Sequence, residues 1–307
     1  MKKLVSLLTR VFDGEAPYLQ GFIDHHRKIG VDEFYFLLDP DASSFCKLIL
    51  KKNNIIPYQY AGNQGLSSSL KAPDLDITSE YVAVIDADEY LDPRVMVFID
   101  SNDIQSISMP WELFASFDFD QLEKSHQKSL IYPRGKEIVK VEDVAKIQSH
   151  TSTMKRPGRR LSMIDAQEYT LSHYYMRGVE DLLYKGIGNH ARARSFKDIN
   201  KGIKFQLPTK RLLATALIIK LIDFQESKLV QPYCSKDPDY EFLLNFKNGF
   251  DKEHAERMRR ETINLANKFS EENLRAYLDI IKAYLDPKEG LRLQLDAQNI
   301  YNLSCSL

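Results

Sequence analysis

The chain has 307 residues, of which 43% are apolar and 28% are charged, and its formal net charge is −1. These values are typical of a globular protein with a sizeable core, and they exclude the strong positive field of a general nucleic-acid or anionic-membrane binder. The three cysteines, Cys46, Cys234 and Cys305, lie far apart, which argues against a disulfide framework and against a cysteine metal site.

Short apolar runs alternate with helical patterns over the first hundred residues. The runs that predict strands are 2–10, 32–39, 55–62 and 81–88. Helices are predicted between them at 15–30 and 43–54, and His26 falls on the apolar stripe of the first, which favours a buried structural histidine. Strand–helix–strand repetition of this kind predicts a doubly wound α/β fold, in which helices cover a parallel sheet.

The rest of the chain follows other patterns. Residues 106–119 predict one more strand and a turn, whereas 120–170 are irregular and polar, with a Pro-Gly turn in the basic stretch KRPGRR at 155–160. After about residue 208 the apolar residues recur with helical spacing. We therefore predict a sheet domain at 1–205 and a helical C-terminal extension at 206–307.

Nothing in the sequence predicts insertion into a membrane. The first residues lack the small-residue cleavage site of a signal peptide. The longest apolar run, 212–224, is too short for a bilayer and is interrupted by Lys220. We expect a cytoplasmic protein, with peripheral contact to a membrane left open.

A cluster of acids follows the strand predicted at 81–88. The segment EYVAVIDADEYLDP, 80–93, brings four of them together: Asp86, Asp88, Glu89 and Asp92. Ligands of open α/β sheets bind at the carboxyl ends of strands, and adjacent carboxylates there repel unless a cation neutralises them. Mg²⁺ and Mn²⁺ prefer oxygen ligands and commonly bridge phosphates. The cluster indicates a metal–diphosphate site, or else the start of a simple turn.

Three segments together resemble glycosyltransferases with the A-type nucleotide-sugar fold, especially the family-2-like and family-92-like groups. YVAVIDADEYLDP is similar to their metal-binding D-x-D segment, and EAPYLQGFIDHHRKIGVDEFYFLLDPDAS is similar to their N-terminal pattern. SHYYMRGVEDLLYKGIG, 172–188, is similar to H-Y-x-x-R-S-x-E-x-F-x-x-K, although Gly178 replaces the common serine. The resemblance thus implies a nucleotide-sugar-binding sheet of the A type.

The resemblance also implies an activity. A sugar would pass from a nucleotide-diphosphate sugar, with a UDP-sugar favoured, to a hydroxyl of a glycan or a lipid-linked acceptor, with inversion at the anomeric carbon. The implied cofactor is Mn²⁺ or Mg²⁺, with Asp88 and His173 as direct ligands and Asp86 on the ribose or a metal-bound water. The residues expected to bind the donor are Thr9, Arg10, Asp39, Asp86, Arg177 and Lys185.

Fewer residues point to the acceptor and to a base. Trp111, the only tryptophan, is expected either to stack on an acceptor sugar or to lie in the core. Glu112 and Asp118 are candidate bases because they follow the strand next to the site. Residues 155–197 include nine basic and four acidic side chains, and this excess of positive charge fits an anionic donor. The 150–170 segment is expected to be a loop that closes over that donor. No aromatic platform for nucleic acid accompanies them.

Two other function classes remain open. A nucleotidyltransferase would use the same layout, but its glycine-rich phosphate loop has no counterpart in RVFDGEAP, which contains one glycine. A non-catalytic sugar-binding relative should have lost some of Asp86, Asp88, His173 and Arg177, and all of these are present.

The apolar segment 212–224 requires cover from another surface. That cover can come from the rest of the chain, from the second copy in a homodimer, or from a membrane that carries a lipid-linked acceptor. A membrane-surface helix should have a broad basic face, and this segment offers only Lys220. The sequence therefore favours burial within the protein.

Overall fold

The computed structural model describes residues 4–11, 15–38, 44–59, 75–117, 128–148, 150–178, 209–224 and 252–288. The strands in these ranges are β1 (Val5–Val11), β2 (Glu33–Leu38), β3 (Tyr58–Gln59), β4 (Tyr81–Val84), β5 (Glu89–Leu91), β6 (Ser106–Ser116), β7 (Leu130–Lys140), β8 (Val144–Lys146), β9 (Thr153–Met154), β10 (Arg160–Leu161) and β11 (Leu171–Arg177). The helices are α1 (Ala16–Lys28), α2 (Ser44–Lys52), α3 (Pro93–Ser101), α4 (Thr209–Phe224), α5 (Lys252–Ala266) and α6 (Glu271–Leu285).

The described residues form two compact units. The first contains the residues up to Trp111 together with Arg134–His173, and the second contains those between Glu112 and Pro133 and those from Tyr174 onward. Strands β6, β7 and β11 pass from one unit into the other. The boundaries of these units differ from residue 205. The division into a sheet domain at 1–205 and a helical extension at 206–307 stays a prediction.

The main sheet has the strand order β3-β2-β1-β4-β7-β6-β11-β5, with β10 beside β6. β1 is parallel to both neighbours, with Leu8 opposite Tyr35 of β2 and Val84 of β4. The chain first builds outward from β1 to β3 and then returns to place β4 on the other side of β1. Such a reversal opens a crevice at the carboxyl ends of the two central strands.

The predicted doubly wound α/β class is confirmed, but the sheet is mixed rather than purely parallel. β7 is antiparallel to β4, with Val84 opposite Glu137, and β5 is antiparallel to β11. β1, β2 and β4 are almost entirely buried, as expected of strands that are covered on both faces.

Helix α1 packs its apolar stripe on one face of this sheet. Pro17 lies in its first turn, where a missing N–H costs nothing, and Gly30 follows its end with a φ of 99° that favours glycine. The Phe22 ring lies edge-on to Phe36 of β2 and to Tyr90 of β5, at centroid distances of 6.2 and 5.6 Å. α1 therefore contacts β5 as well as the parallel strands.

Two successive histidines of α1 bind the backbone of Leu91 at the end of β5. His26 is fully buried, and its Nδ1 donates to the Phe22 carbonyl at 2.8 Å, so its Nε2 is free to accept from the Leu91 N–H at 3.3 Å. The Nε2 of His25 donates to the Leu91 carbonyl at 2.9 Å. We call this arrangement the histidine clamp. The predicted role of His26 as a hydrogen-bonded core residue is confirmed.

The histidine clamp should make stability depend on pH. Burial lowers the pKa of His26 well below its usual 6.5, and the neighbouring His25 lowers it further. The unfolded chain therefore gains a proton below pH 6.5 that the folded chain does not accept, so this contribution to stability is complete above pH 6.5 and is lost as pH falls, by about 1.4 kcal/mol per pH unit. The His26→Gln variant should be less stable than wild type at pH 7.5. As the pH is lowered to 5.5, the difference between their free energies of unfolding in urea should become smaller. A gap that stays constant over this range would contradict a neutral His26.

Residues 150–170 hold two short strands, and their basic turn does not lie at the crevice. Gln105, just before β6, donates its N–H to the Arg159 carbonyl at 2.7 Å and accepts from Lys140 N–H at 2.8 Å. Lys140 in turn lies opposite Tyr81, where β4 begins. The Pro-Gly turn therefore lies near the start of β4, away from the acid cluster, whereas closure of the 150–170 segment over a donor stays a prediction.

Acidic partners already neutralise two of the basic residues in this segment. Arg156 bonds Asp143 at 2.7 Å, and Arg160 bonds Glu137 at 3.2 Å. The local excess of positive charge that the sequence predicted is correspondingly smaller.

The described part of the second unit contains α4, α5 and α6, in agreement with the helical spacing that begins after about residue 208. α4 packs against α5 and α6, and its buried residues are Thr215, Ala216, Leu217, Leu221 and Ile222. Ser270 caps α6 through an Oγ that accepts from the Asn273 N–H at 3.2 Å. This packing covers much of the apolar α4, whereas a homodimer or a membrane contact stays a prediction. In the described part of the chain, no helix combines the length and the apolar character that crossing a membrane requires.

Candidate functional site

The acid cluster occupies the turn between β4 and β5, at the carboxyl end of β4. The Ile85 N–H continues the ladder to β1 by donating to the Leu8 carbonyl at 3.2 Å. Thr9 and Arg10 therefore end β1 at the same edge at which Asp86 follows β4. The crevice created by the strand order opens at this edge.

A buried lysine of β7 pairs with the first acid. The Nζ of Lys136 donates to Oδ2 of Asp86 at 2.7 Å and lies 3.9 Å from Oε2 of Glu89. Glu89 also accepts the Asp86 N–H at 2.7 Å, which closes the turn. The side chains of Lys136 and Glu89 are 1% and 0% exposed, whereas that of Asp86 is 47% exposed. Asp86 therefore connects this buried network to the solvent.

Burial and charge act in opposite directions on the pKa values of this network. Burial raises the pKa of Glu89 well above its usual 4.5; the Lys136 charge opposes this effect and the neighbouring Asp86 and Asp88 reinforce it. Burial on its own would lower the pKa of Lys136, but Glu89 and Asp86 more than compensate, so its pKa is raised. Because Asp86 is both closer to the ammonium group and partly solvated, we assign the ion pair to Lys136 and Asp86.

Asp88 and His173 meet beside this network. β11 pairs with β5 so that His173 lies opposite Glu89, and the Nε2 of His173 lies 3.4 Å from Oδ2 of Asp88. Both side chains are buried. The two residues predicted to share a metal ion are therefore neighbours, although they are distant in sequence.

The residues present fit a divalent cation that is bound together with a diphosphate. Among the described residues no group of three or more histidine, cysteine or acidic side chains is arranged to hold a metal. Asp88 and His173 offer one carboxylate and one imidazole, while Asp86, predicted as a further contact, is instead bound to Lys136. Mg²⁺-type sites with few protein ligands complete their coordination with water and substrate phosphates.

His173, which pairs with Asp88, also packs against the ring of Trp111. The Trp111 ring centroid is 4.7 Å from that of His173 and 5.8 Å from that of His150, and Cζ of Arg134 lies 5.6 Å from the indole. We call Trp111, Arg134 and His150 the Trp111 cluster. The Nδ1 of His150 donates to the Gly135 carbonyl at 2.9 Å, so its Nε2 accepts from Arg134, 3.4 Å away. Burial lowers the pKa of His150, and the charge of Lys136 lowers it further.

The fourth acid of the cluster has a structural role. Asp92 precedes α3, and its Oδ1 accepts the Arg94 N–H at 2.8 Å, which caps the helix. The Arg94 side chain also pairs with the Asp92 carboxylate. The alternative interpretation of the cluster, as the start of a turn, therefore holds for Asp92.

The other predicted site residues have varied settings. Thr9 is fully buried, and its Oγ1 lacks a hydrogen-bond partner within the part of the chain that the structure describes. In the second unit, Glu112 is buried and accepts from Ser129 Oγ at 2.6 Å, and the Arg177 side chain is fully buried. Three predicted residues lie outside the described residues: Asp39, Asp118 and Lys185.

Sequence reasoning missed the contributions of Arg134, Lys136 and His150. Arg134 and Lys136 belong to β7, which lies within the stretch 120–170 that the sequence pattern indicates to be irregular and polar. A Cβ on Gly135 would lie 1.7 Å from the Met109 carbonyl oxygen, so this glycine permits a close approach between strands. The adjacent β-branched residues Ile138 and Val139 were the feature of the sequence that favours a strand here.

Comparison with known proteins adds little beyond the fold. No family model and no curated protein matches the chain. HddC from Yersinia pseudotuberculosis is similar at 17% identity, over 60% of this chain and 97% of that one, with a TM-score of 0.36. TarS 1–349 from S. aureus is similar at 11% identity, over 86% and 89%, with a TM-score of 0.35. Glucosyl-3-phosphoglycerate synthase from Mycobacterium tuberculosis, in complex with Mn²⁺, UDP and phosphoglyceric acid, is similar at 12% identity, over 46% and 57%, with a TM-score of 0.31.

The similar structures include glycosyltransferases, which the sequence motifs resemble, and nucleotidyltransferases, the rival class. TM-scores this low carry no argument about the substrate or the reaction.

Proposed function

We propose that the protein is a metal-dependent glycosyltransferase that moves a sugar from a nucleotide-diphosphate sugar to a hydroxyl of a glycan or glycolipid. The observation that carries this proposal is the adjacency of Asp88 and His173, 3.4 Å apart, at the carboxyl end of β4. A buried carboxylate–imidazole pair beside a cation-stabilised acid suits a divalent ion and its diphosphate.

The crevice between β1 and β4 suits the nucleotide. Thr9 and Arg10 end β1 there, and Asp39 follows β2 in the sequence, so all three are proposed donor-binding residues. The buried and unsatisfied Oγ1 of Thr9 supports a polar ligand at this edge. Arg177 and Lys185 are retained as proposed contacts on the strength of the resemblance alone.

Displacement at an anomeric carbon requires a stabilised leaving group, an oriented acceptor and a base. A divalent ion held by Asp88 and His173 would supply positive charge at the leaving diphosphate. Lys136 holds Asp86 in place and offsets the repulsion among the acids. Trp111 would orient the acceptor, and Glu112 and Asp118 stay candidate bases. Direct displacement without a protein nucleophile inverts the anomeric centre.

Calorimetry of UDP tests the donor site. With Mn²⁺ the protein should bind UDP at least about tenfold more tightly than after chelation, because Asp88 and His173 would hold an ion that supplies positive charge to the diphosphate. Uridine, which lacks the diphosphate, serves as the control and should bind with the same low affinity in both conditions. Equal affinity for UDP before and after chelation would refute the proposal.

A further inference from the structure

The Trp111 cluster presents a basic group, Arg134, that has no acidic partner among the residues that the structure describes. Arg134 is exposed, and within the described ranges no carboxylate lies close enough to form an ion pair with it. Its contacts are instead the indole of Trp111, 5.6 Å from Cζ, and the Nε2 of His150, 3.4 Å from Nη2. By contrast, Arg156 and Arg160 in the same unit are paired with acids.

These contacts hold the guanidinium without neutralising it. A cation over an aromatic face keeps its charge, and the neutral ring of His150 occupies one N–H group. The remaining N–H groups form a planar fork of the kind that binds two oxygens of one phosphate or carboxylate. The indole Nε1–H adds a donor that is shielded from water and has no acceptor among the described residues.

The position of the cluster relates it to the acceptor rather than to the nucleotide. In the sheet order β4 separates β1 from β7, and the proposed nucleotide contacts Thr9 and Arg10 are on β1. Arg134 and Trp111 are on β7 and β6, beyond the acid cluster. Trp111 also contacts His173, so the cluster adjoins the proposed metal site on the side away from β1.

We propose that Trp111, Arg134 and His150 form a subsite for an oxyanion, a phosphate or a carboxylate, that belongs to the acceptor. This inference rests on the proposed function and narrows its acceptor class to anionic sugars, polyols or phosphorylated glycans. Arg134 binds the oxyanion, His150 orients Arg134, and Trp111 supports both the guanidinium and the carbon skeleton of the acceptor.

Trp111 is the only tryptophan, so the fluorescence of the intact protein reports directly on this subsite. Inorganic phosphate and acetate are the two probes, titrated separately to distinguish a phosphate from a carboxylate site. Arg134→Gln should weaken binding of the preferred anion at least about tenfold. Arg134→Lys keeps the positive charge but lacks the planar fork of N–H groups, so its affinity for the anion should lie between those of wild type and Arg134→Gln.

Arg257→Gln provides the matched control, because Arg257 is an exposed arginine of α5 with a side chain that is 52% exposed. It should bind the anion as wild type does. Thermal unfolding of Arg134→Gln should match that of wild type, since the side chain is on the surface. The proposal is overturned if neither anion changes the fluorescence of wild type, or if both arginine variants weaken binding equally.

Binding of UDP with Mn²⁺ separates this inference from the donor assignment. Arg134→Gln should bind UDP with Mn²⁺ as tightly as wild type does. A loss of UDP affinity as large as the loss of anion affinity would place the oxyanion on the donor and overturn the acceptor assignment. Arg134-dependent anion binding in a protein that binds UDP equally well without metal would support the subsite while refuting the metal-dependent donor site.

Discussion

Replacing Asp88 with asparagine should abolish the Mn²⁺ dependence of UDP binding and lower the transfer rate at least about 100-fold. The amide is neutral and nearly isosteric, so it removes the charge that holds the ion without emptying the space beside His173. Because three acids share this turn, loss of one charge relieves repulsion. The Asp88→Asn protein should therefore unfold at a temperature equal to or above that of wild type.

Asp92→Asn is the matched control, four residues further along the same acid cluster. Asn caps helices as well as Asp does, so α3 should keep its first turn and both stability and activity should change little. Calorimetry of UDP with Mn²⁺ and a transfer assay on both variants distinguish the two acids. Full activity in Asp88→Asn, or an equal loss in Asp92→Asn, would disprove the assigned role of Asp88.

Replacing Lys136 with methionine should lower the free energy of unfolding by about 3–5 kcal/mol. Methionine fills a similar volume, so the expected loss comes from charge: Asp86 and Glu89 would be left without the cation that lies 2.7 and 3.9 Å from them. The variant should regain stability as pH falls, because protonation of the uncompensated carboxylates becomes the only way to remove their repulsion.

Lys140→Met, on the same strand, is the control for Lys136→Met. Lys140 pairs with Asp103 and Glu142, whose side chains are 89% and 64% exposed, so its removal should cost about 0–1 kcal/mol. Urea unfolding of both variants at pH 7, and of Lys136→Met combined with Asp86→Asn, measures the coupling within the pair. A cost for Lys136→Met no larger than that for Lys140→Met would contradict the ion pair assigned to the buried Lys136.

Elements with a strong local pattern were predictable from the sequence. β1, β2 and β4 are apolar runs because both faces are buried, and α1 follows its apolar stripe closely. α3 was missed because Asp92-Pro93 was taken as a turn, although the same pair caps and begins a helix. β7 was missed because its polar residues are satisfied only by distant partners: Glu137 accepts the Ser152 N–H at 2.6 Å and lies near Arg160.

The site shows the same division. The neighbouring positions of Asp88 and His173 were predicted from the resemblance of two short segments. The ion pair of Asp86 with Lys136 depends on the register that sets Val84 opposite Glu137, and no local pattern encodes that register. The Trp111 cluster likewise requires β6, β7 and the segment before β9 to meet, which only the folded chain determines.

The histidine clamp has a consequence for how the acids come to lie together. Like-charged groups separate unless rigid structure restrains them, and here β4 restrains one end of the turn while α1 holds Leu91 near the other. Part of the energy gained by packing α1 is thus stored as electrostatic repulsion, which the proposed divalent cation would release. On the proposed function, affinity for the cation would therefore depend on a helix that need not touch the ion, and changes along α1 would tune that affinity while Asp88 and His173 stay unchanged.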